Sequence, residues 1–401
     1  MRMDSVPLVT CNPKLVTRKL LHICCNYATT GVFVRLFSEL AGAGLDQRVY
    51  VPEKRAAHMG RNLPQGSAYP VHYSLIVRPW DRPLYHTKAR RAALDLANSF
   101  DLGAAGGEGM LIHAHTLFTD GGIAYRLHRR YGIPFVVSVR FTDLEYFYRY
   151  MPHLRGHALR ILRAARRVVF LSPGYRQRML ERYIPAPLRD GLWAKSAVIP
   201  NGIAPEWFQG AAPRSRQPGR PLIVAFAGKL EKRKQPLLAA DAVLALQKLL
   251  PDASVSLRVA GSGPLEGALR AHPAARSGAM TLLGTLEGTQ AMRDFYDGCH
   301  LFLLPSRAET FGMAYLEAMS RGLPVLYTRG QGFDGQFAEG EAGFAVEPND
   351  PAGIARAALA ALDGYGERSA RCIELAASLQ WNKVAGRIAK MYRSVGEEVR
   401  A

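Results

Sequence analysis

The 401-residue sequence has no apolar run close to the about 18 residues that span a bilayer, so it predicts no transmembrane helix. Its N-terminus also lacks the apolar stretch of a signal peptide, and we expect the chain to stay in the cytoplasm. The five cysteines, Cys11, Cys24, Cys25, Cys299 and Cys372, have neither metal-ligand spacing nor the pattern of a disulfide framework. These absences favour a cytoplasmic globular protein without a structural metal.

Acidic residues are also scarce, with 33 Asp and Glu against 52 Lys and Arg, which gives a formal net charge of +19. Residues 121–190 hold 14 arginines and four acidic side chains. Such a field attracts nucleic acid, an anionic membrane surface or phosphorylated substrates, although solvated helix faces would have the same composition. Because no stacking-aromatic module or recognition motif accompanies the charge, nucleic acid is the least favoured partner.

The chain is longer than the roughly 250–300 residues at which one core stops growing, so two domains are expected. Short apolar runs alternate with helical patterns, a pattern typical of parallel sheets covered on both faces. The alternation pauses at 198–203, continues into a linker rich in Pro, Gly and Arg, and restarts at 222. The predicted fold class is therefore α/β: two Rossmann-like, doubly wound parallel-sheet domains facing across a cleft. Their predicted bounds are 1–204 and 205–380, and a final helix at 381–401 is expected to pack back toward the N-terminal domain.

One strand-loop-helix segment carries two carboxylates. A strand at 301–304 leads into a loop with Glu309, a helix begins near Phe311, and Glu317 lies two turns into it. The start of a helix offers unpaired N–H groups to a diphosphate, and Gly312 lets a ligand approach the backbone. Each carboxylate accepts hydrogen bonds from vicinal hydroxyls, which both a sugar and a ribose present.

With these residues the chain resembles the family-4 retaining glycosyltransferases of the GT-B fold, in which two glutamates are separated by seven residues. The resemblance extends over most of the chain and is strongest in the segments VIPNGI at 198–203, GKLEKRK at 228–234, VAGSGPL at 259–265, LLGTL at 282–286 and the glutamate segment at 303–325. It implies that Glu317 holds the ribose hydroxyls of a sugar nucleotide. It also implies that Glu309, with the N–H groups of Phe311, Gly312 and Met313, holds the transferred sugar and the diphosphate.

The same resemblance assigns cations to the donor diphosphate. Lys229 and Lys234 stand where the family has an Arg and a Lys, so the charge is kept while the bidentate geometry of one arginine is lost. Both would stabilise the departing nucleoside diphosphate as its charge develops. Gly261 lies in a turn that shapes the donor pocket in the family, and the main chain at Leu286 would contact the base.

The N-terminal half departs from the family pattern in two places. Gly31 stands alone where the family commonly has two glycines near the donor phosphates. Arg140 replaces a histidine that contacts the donor sugar; because arginine stays protonated, it would bind a phosphate or a polar sugar group instead of acting as a base, unless it is only a surface side chain beside a strand end. His113, His115 and Asp143 are predicted on the acceptor side, although histidines at a strand end are as often structural.

Retention by double displacement needs a nucleophilic carboxylate near the anomeric carbon, and no motif clearly places one there. We therefore predict that the diphosphate leaves and the acceptor attacks on the same face of the sugar. No Asp-x-Asp motif stands in a suitable loop, so we predict no metal and no cofactor, with the sugar nucleotide as a substrate. A UDP-sugar is the favoured donor.

The acceptor is predicted to be a glycan or lipid-linked glycan, because the segments at 139–147 and 328–337 resemble transferases that build bacterial capsule or exopolysaccharide. The spacing of the arginines at 160, 163, 166 and 167 predicts a helical stripe that attracts an anionic membrane, or else a helix that covers the sheet. Three rival functions remain open at this point. The first is a GT-B sugar-nucleotide epimerase, which is an isomerase, and the second is a nucleic-acid-binding protein, which is less favoured. The third is a degenerate domain of the same fold that only binds partners.

Overall fold

The computed structural model describes residues 19–64, 66, 68–76, 84–102, 109–215 and 219–399. Cys11 lies outside these residues, while Cys24, Cys25, Cys299 and Cys372 are free thiols. No helix in the described part of the chain is long and apolar enough to cross a membrane.

The N-terminal part forms a seven-stranded parallel sheet in the order β3-β2-β1-β4-β5-β6-β7. Its strands are β1 Lys19–Ile23, β2 Gln47–Pro52, β3 Val71–Ser74, β4 Met110–Ala114, β5 Phe135–Val139, β6 Arg167–Phe170 and β7 Ser196–Val198. Its helices are α1 Val32–Gly42, α2 Tyr85–Ser99, α3 Thr119–Tyr131, α4 Arg155–Ala164, α5 Pro173–Tyr183 and α6 Arg189–Ala194, with a π-helix at Asp143–Tyr148.

The C-terminal part forms a six-stranded parallel sheet in the order β10-β9-β8-β11-β12-β13. Its strands are β8 Leu222–Ala227, β9 Val255–Ala260, β10 Met280–Gly284, β11 Leu301–Leu304, β12 Val325–Thr328 and β13 Gly343–Val346. Its helices are α7 Pro236–Leu249, α8 Glu266–Arg270, α9 Pro273–Arg276, α10 Gly288–Asp297, α11 Met313–Ser320, α12 Pro351–Leu362 and α13 Tyr365–Ala377, followed by α14 Trp381–Glu398.

The predicted pair of doubly wound parallel sheets is confirmed. Strands such as β4 and β11 are buried along their whole length, because helices cover both faces of each sheet. In each sheet the strand order reverses beside a central strand, between β1 and β4 in the first and between β8 and β11 in the second. Ligands of open α/β sheets bind outside the carboxyl ends of the strands at this point. The fold therefore directs attention to the loops that follow β1, β4, β8 and β11.

The C-terminal helix α14 lies against the first sheet. Its Trp381 and Tyr392 belong to one hydrophobic cluster with Leu20 and Phe37. The chain crosses between the two sheets twice, and the crossings are paired: Ile203 N–H donates to Leu379 O at 2.9 Å, and Trp381 N–H donates to Ile203 O at 3.2 Å. The two connections between the sheets thus run side by side.

The expected stripe of four arginines on one helix is wrong. Helix α4 ends at Ala164, where Ala165 turns to an extended backbone, so only Arg160 and Arg163 lie on it, both exposed. Arg167 instead begins β6 and pairs with Glu398 of α14.

Candidate active site in the interdomain cleft

The loop after β11 presents Glu309 from a fixed backbone. Its N–H donates to Gln331 Oε1 at 3.2 Å, and its carbonyl accepts from Gly332 N–H at 2.9 Å. The residue is only 7% exposed, and its carboxylate accepts a hydrogen bond from Lys234 Nζ in a salt bridge. Two charged side chains 75 residues apart in the sequence are therefore held together beyond the carboxyl ends of the central strands of the second sheet.

Lys234 comes from the loop that follows β8, the neighbour of β11. Breaking a largely buried ion pair by removing one partner leaves an uncompensated charge and costs about 3–5 kcal/mol. The pair therefore fixes both side chains and keeps a cation and an anion adjacent. Lys229, from the same loop, is exposed, and its ammonium group makes no hydrogen bond or ion pair within the described chain.

Helix α11 begins directly beyond Glu309. Gly312 caps it with φ +84°, and a Cβ there would overlap the Tyr315 ring, so only glycine fits without strain. The N–H groups of Phe311 and Gly312 donate to no atom of the described residues. Met313, half-buried, is the first residue of the helix. The start of α11 thus offers backbone donors beside the Lys234–Glu309 pair, an arrangement suited to an anion.

Glu317 lies on α11, half-buried. Its Oε2 accepts a hydrogen bond from Tyr296 Oη at 3.2 Å. Burial raises the pKa of Glu317 to about 7, and the Tyr296 hydrogen bond lowers it. No sequence motif points to Tyr296, because its hydroxyl reaches Glu317 from the separate helix α10.

The loop after β8 and the turn after β9 are hydrogen-bonded to each other. Gly261 has φ +138°, and a Cβ there would overlap Gly228 O. Gly261 N–H donates to Gly284 O at 2.6 Å, and Leu230 N–H donates to Ser262 O at 2.9 Å. These contacts join the loop with Lys229 to the turn after β9 and to the end of β10. Leu286 follows, half-buried against the second core.

Arg140 follows β5 in the first domain. Its Nε donates to His115 O at 3.2 Å and its Nη1 to Asn201 Oδ1 at 3.3 Å, and its guanidinium lies 5.2 Å from the Phe33 ring centre. The side chain is half-buried between these groups, so the alternative of a freely solvated arginine does not hold.

The acceptor-side prediction for Asp143 is contradicted by its contacts. This carboxylate is fully buried and accepts from the N–H groups of Leu117, Phe118 and Arg140 at 3.0, 3.1 and 2.8 Å. Burial raises its pKa to about 6, against these hydrogen bonds. Asp143 therefore ties the loop after β4 to the end of β5, and it does not face an acceptor.

The same prediction is wrong for His113 and His115, which are 2% and 1% exposed. His113 bonds through Nδ1 to Tyr392 Oη at 2.6 Å and through Nε2 to Ser138 Oγ at 2.8 Å. His115 Nε2 lies 3.0 Å from Nδ1 of His22. The side chains point into the core between β1, β4 and α14 because residues of these strands are covered on both faces.

These three histidines are the one group of metal-ligand residue types that lie close together in the described chain, with ligand atoms within 4.8 Å of one another. His22 Nε2 also bonds to Gln47 Oε1, so His115 Nδ1 is the only ring nitrogen of the three that lacks a partner. Burial lowers the pKa of His22 to about 3. The donor set is thus already engaged as a network of neutral imidazoles.

Gly31 caps α1 with φ −71°, and a Cβ there would meet no atom within 4 Å. The fold itself therefore does not require glycine at this exposed position, unlike at Gly261 and Gly312.

Contacts across the cleft involve residues that the motifs did not single out. The Arg233 guanidinium lies 5.4 Å from the Phe141 ring centre, and its Nη1 donates to Ala308 O at 2.9 Å. Gln336 Nε2 donates to Leu171 O at 2.6 Å. Arg233 stands directly before Lys234, so the basic cluster 229–234 was the available signal for it. The loop after β8 thus contacts both the Glu309 loop and the first domain.

Comparison with known proteins gives two family matches. Residues 221–364 match the family described as "Glycosyl transferases group 1", and residues 30–202 match the "Glycosyl transferase 4-like domain". Together they cover more than three quarters of the chain. One curated relative, D-inositol 3-phosphate glycosyltransferase 1 of Catenulispora acidiphila, is 27% identical over 317 residues, which is 73% of this chain and 74% of the relative.

Solved structures share the fold at lower identity. Sucrose-phosphate synthase from Thermosynechococcus elongatus has a TM-score of 0.71 at 16% identity, covering 95% of this chain and 100% of its own. The lipopolysaccharide outer core galactosyltransferase WaaB, in its apo form, has a TM-score of 0.70 at 13% identity, with 94% and 99% covered. Anabaena Alr3699/HepE in complex with UDP has a TM-score of 0.68 at 16% identity, with 94% and 100% covered.

Proposed function

Because the chain belongs to the group 1 glycosyltransferases and has the GT-B fold, we propose that it transfers a sugar with retention from a UDP-sugar to a glycan or lipid-linked glycan of a bacterial surface polysaccharide. The observation that carries this proposal is the Lys234–Glu309 pair at the unpaired N–H groups that begin α11. A diphosphate needs cations and N–H donors, and a sugar needs a carboxylate close beside them. The pair places a cation and a carboxylate in direct contact, and the start of α11 adds the N–H donors.

In the proposed donor complex the diphosphate lies between Lys229, Lys234 and the start of α11. The transferred sugar donates a hydroxyl to Glu309, and the ribose donates its vicinal hydroxyls to Glu317. The base lies over the turn near Gly261 and Leu286. Uridine is proposed because one structural neighbour was solved with UDP and with UDP-glucose, according to its titles.

The proposed chemistry takes place on one face of the sugar. The bond from the anomeric carbon to the diphosphate oxygen breaks first, and the acceptor oxygen attacks the same face while its proton moves to the departing phosphate oxygen. Lys229 and Lys234 stabilise the charge that collects on the leaving diphosphate, where electrostatic stabilisation is most effective. Because these side chains supply that positive charge, we propose that the reaction needs no divalent metal and no cofactor.

Glu309 is a sugar-binding group in this proposal. A nucleophile of a double displacement would have to be free to bond to the anomeric carbon, whereas the Glu309 carboxylate is engaged by Lys234 Nζ and by Thr310 N–H. In this proposal Arg140, the residue after β5, binds a phosphate or a polar sugar group from the first domain. Closure of the domains over the donor would exclude water.

The surface-glycan acceptor rests on the basic first domain and on the fold shared with the lipopolysaccharide transferase WaaB. A lipid-linked acceptor would be held at the cytoplasmic face of the membrane, and we propose that the enzyme associates peripherally with anionic lipid there. Co-sedimentation with anionic vesicles should weaken at high salt; salt-independent binding would exclude this electrostatic attraction.

The proposal is tested with a panel of UDP-, GDP- and ADP-sugars. A bound donor raises the melting temperature, and the UDP-sugars are expected to give the largest increase. The donor that stabilises is then incubated with and without lipid-linked acceptor, in EDTA, and the product anomer is assigned by NMR. An inverted product would refute retention, loss of activity in EDTA would refute metal independence, and conversion of donor without acceptor would favour an epimerase.

A further inference from the structure

A second cationic site lies in the first domain, between α2, α3 and α4. It is a pocket of about 350 Å³, a size at the lower end of small-molecule sites. We name it the arginine pocket; it is lined by His86, Tyr125, Arg126, Arg129, His157 and Arg160. None of these residues belongs to the proposed donor site.

The charge of the arginine pocket is unbalanced. None of its six lining residues is acidic. Arg126 donates to the carbonyls of Gly122 and His86 at 3.0 and 3.2 Å, which leaves its charge without a carboxylate partner. Arg129 and Arg160 are exposed, and their guanidinium groups make no hydrogen bond or ion pair with any described residue. Three like charges around one concave surface repel one another, and a bound anion would relieve this repulsion.

His86 reinforces the arrangement. Its Nδ1 lies 3.2 Å from Arg126 Nη2, so it accepts a hydrogen bond from this arginine as a neutral imidazole. Burial lowers the pKa of His86, and the charges of Arg126 and Arg160 lower it further. The histidine thus positions one guanidinium at the pocket without adding a fourth positive charge.

His157 provides an independent observation. It is only 5% exposed, and its Nε2 is fully buried without a hydrogen-bond partner in the described chain. Its ring is surrounded edge-on by Tyr85, His86 and Tyr125, with ring centres 5.5, 4.9 and 5.7 Å away. Almost all buried polar groups in native proteins are paired, so an unpaired nitrogen in a pocket wall indicates a ligand or water partner.

We propose that the arginine pocket binds a phosphate or diphosphate group at a site distinct from the donor cleft. Guanidinium groups bind phosphate oxygens through two parallel hydrogen bonds, and Arg129 and Arg160 offer two such forks at one cavity, with the positive charge of Arg126 beside them. The phosphate comes either from a lipid head group or from a soluble phosphorylated compound, two sources with the same recognition chemistry.

The test uses the full chain and inorganic pyrophosphate, titrated calorimetrically in the presence of saturating UDP. The pocket variant carries Arg129→Gln and Arg160→Gln. The matched control carries Arg130→Gln and Arg163→Gln, exposed arginines of the same two helices that do not line the pocket. Each double variant loses two positive charges, so the two variants reduce the overall electrostatic attraction of the protein for anions equally.

The pocket variant is expected to bind pyrophosphate about tenfold or more weakly, and the control less than about twofold. Equal losses in both variants, or no binding by the wild type, would overturn the proposal. A third variant, with Arg129→Lys and Arg160→Lys, should bind with intermediate affinity because it keeps the charge and loses the forks. Since no donor-site residue is changed, a failure of the proposed transferase activity would leave this result unaffected.

The source of the phosphate is resolved by a vesicle arm. Phosphatidylcholine vesicles containing phosphatidic acid are compared with vesicles of equal charge containing phosphatidylglycerol, whose phosphate is a diester. Sedimentation with phosphatidic acid that is lost in the pocket variant and kept in the control assigns the site to a lipid head group. If the two variants sediment alike while pyrophosphate binding differs, the ligand is a soluble phosphorylated compound.

Discussion

Donor binding should depend on pH through Glu317. Its pKa is raised to about 7, and only the ionised carboxylate accepts hydrogen bonds at both oxygens. With that pKa the group is about one tenth ionised at pH 6 and about nine tenths ionised at pH 8. If the ribose hydroxyls bind the ionised form, the apparent donor KM at pH 6 should therefore be about tenfold higher than its limiting value at high pH.

The assay is the pH profile of kcat/KM for the donor, which reports ionisations of the free enzyme. Wild type should rise through about pH 7 to a plateau. Glu317→Gln should be flat and low, because an amide does not ionise there. Tyr296→Phe removes the hydrogen bond that lowers this pKa, so its inflection should move to higher pH. Glu397→Gln, an exposed change on α14, is the control.

Stability gives a second readout with the opposite sign. The folded pKa of Glu317 lies above the ordinary value of 4.5, so stability is lost as the pH rises from about 4.5 to 7. Glu317→Gln should therefore raise the melting temperature at pH 8, with an upper limit of about 3 kcal/mol. A wild-type profile without inflection near pH 7, or a Glu317→Gln enzyme that keeps it, would refute the assignment.

Three further predictions concern the loops of the cleft. Lys234→Ala should lower kcat by about 10²–10³ and also lower the melting temperature, because the Glu309 carboxylate loses its partner; an unchanged kcat would remove Lys234 from the chemistry. Gly261→Ala should destabilise the fold by about 1–3 kcal/mol in urea titrations, because it combines a clash with a φ of +138°; wild-type stability would contradict this account. Gly31→Ala should leave the unfolding free energy within about 0.5 kcal/mol and raise the donor KM, whereas an unchanged KM would show that no ligand approaches this backbone.

The sequence predicted the central strands well, because runs such as 301–304 are buried on both faces and contain only apolar residues. It missed β3 and β7, which form the two edges of the first sheet and are at best half-buried. Edge strands that are partly solvated need no apolar run, so their pattern does not differ from that of a loop. The π-helix at Asp143–Tyr148 likewise has no distinct sequence signal.

For the candidate site, the motifs predict Glu309, Glu317 and Lys234 but not the contacts that each side chain makes. The salt bridge joins residues 75 positions apart, and the Tyr296 hydroxyl reaches Glu317 from another helix. The error at His113 has the same origin. A position at a strand end predicts a place in the cleft wall, whereas α14 packs against the first sheet here and buries His113. Such contacts depend on tertiary packing, which spacing along the chain does not encode.

The paired crossings at Ile203 and Gln380 have a mechanical consequence. Two covalent links that run together through one point let the lobes swing about that point while resisting translation. We therefore expect it to be the pivot of cleft opening, with most backbone rotation confined to a few residues on either side. Gly202 lies against Trp381 there, where any side chain would overlap the indole. A bulky residue at position 202 would thus alter the angle between the lobes without touching a substrate.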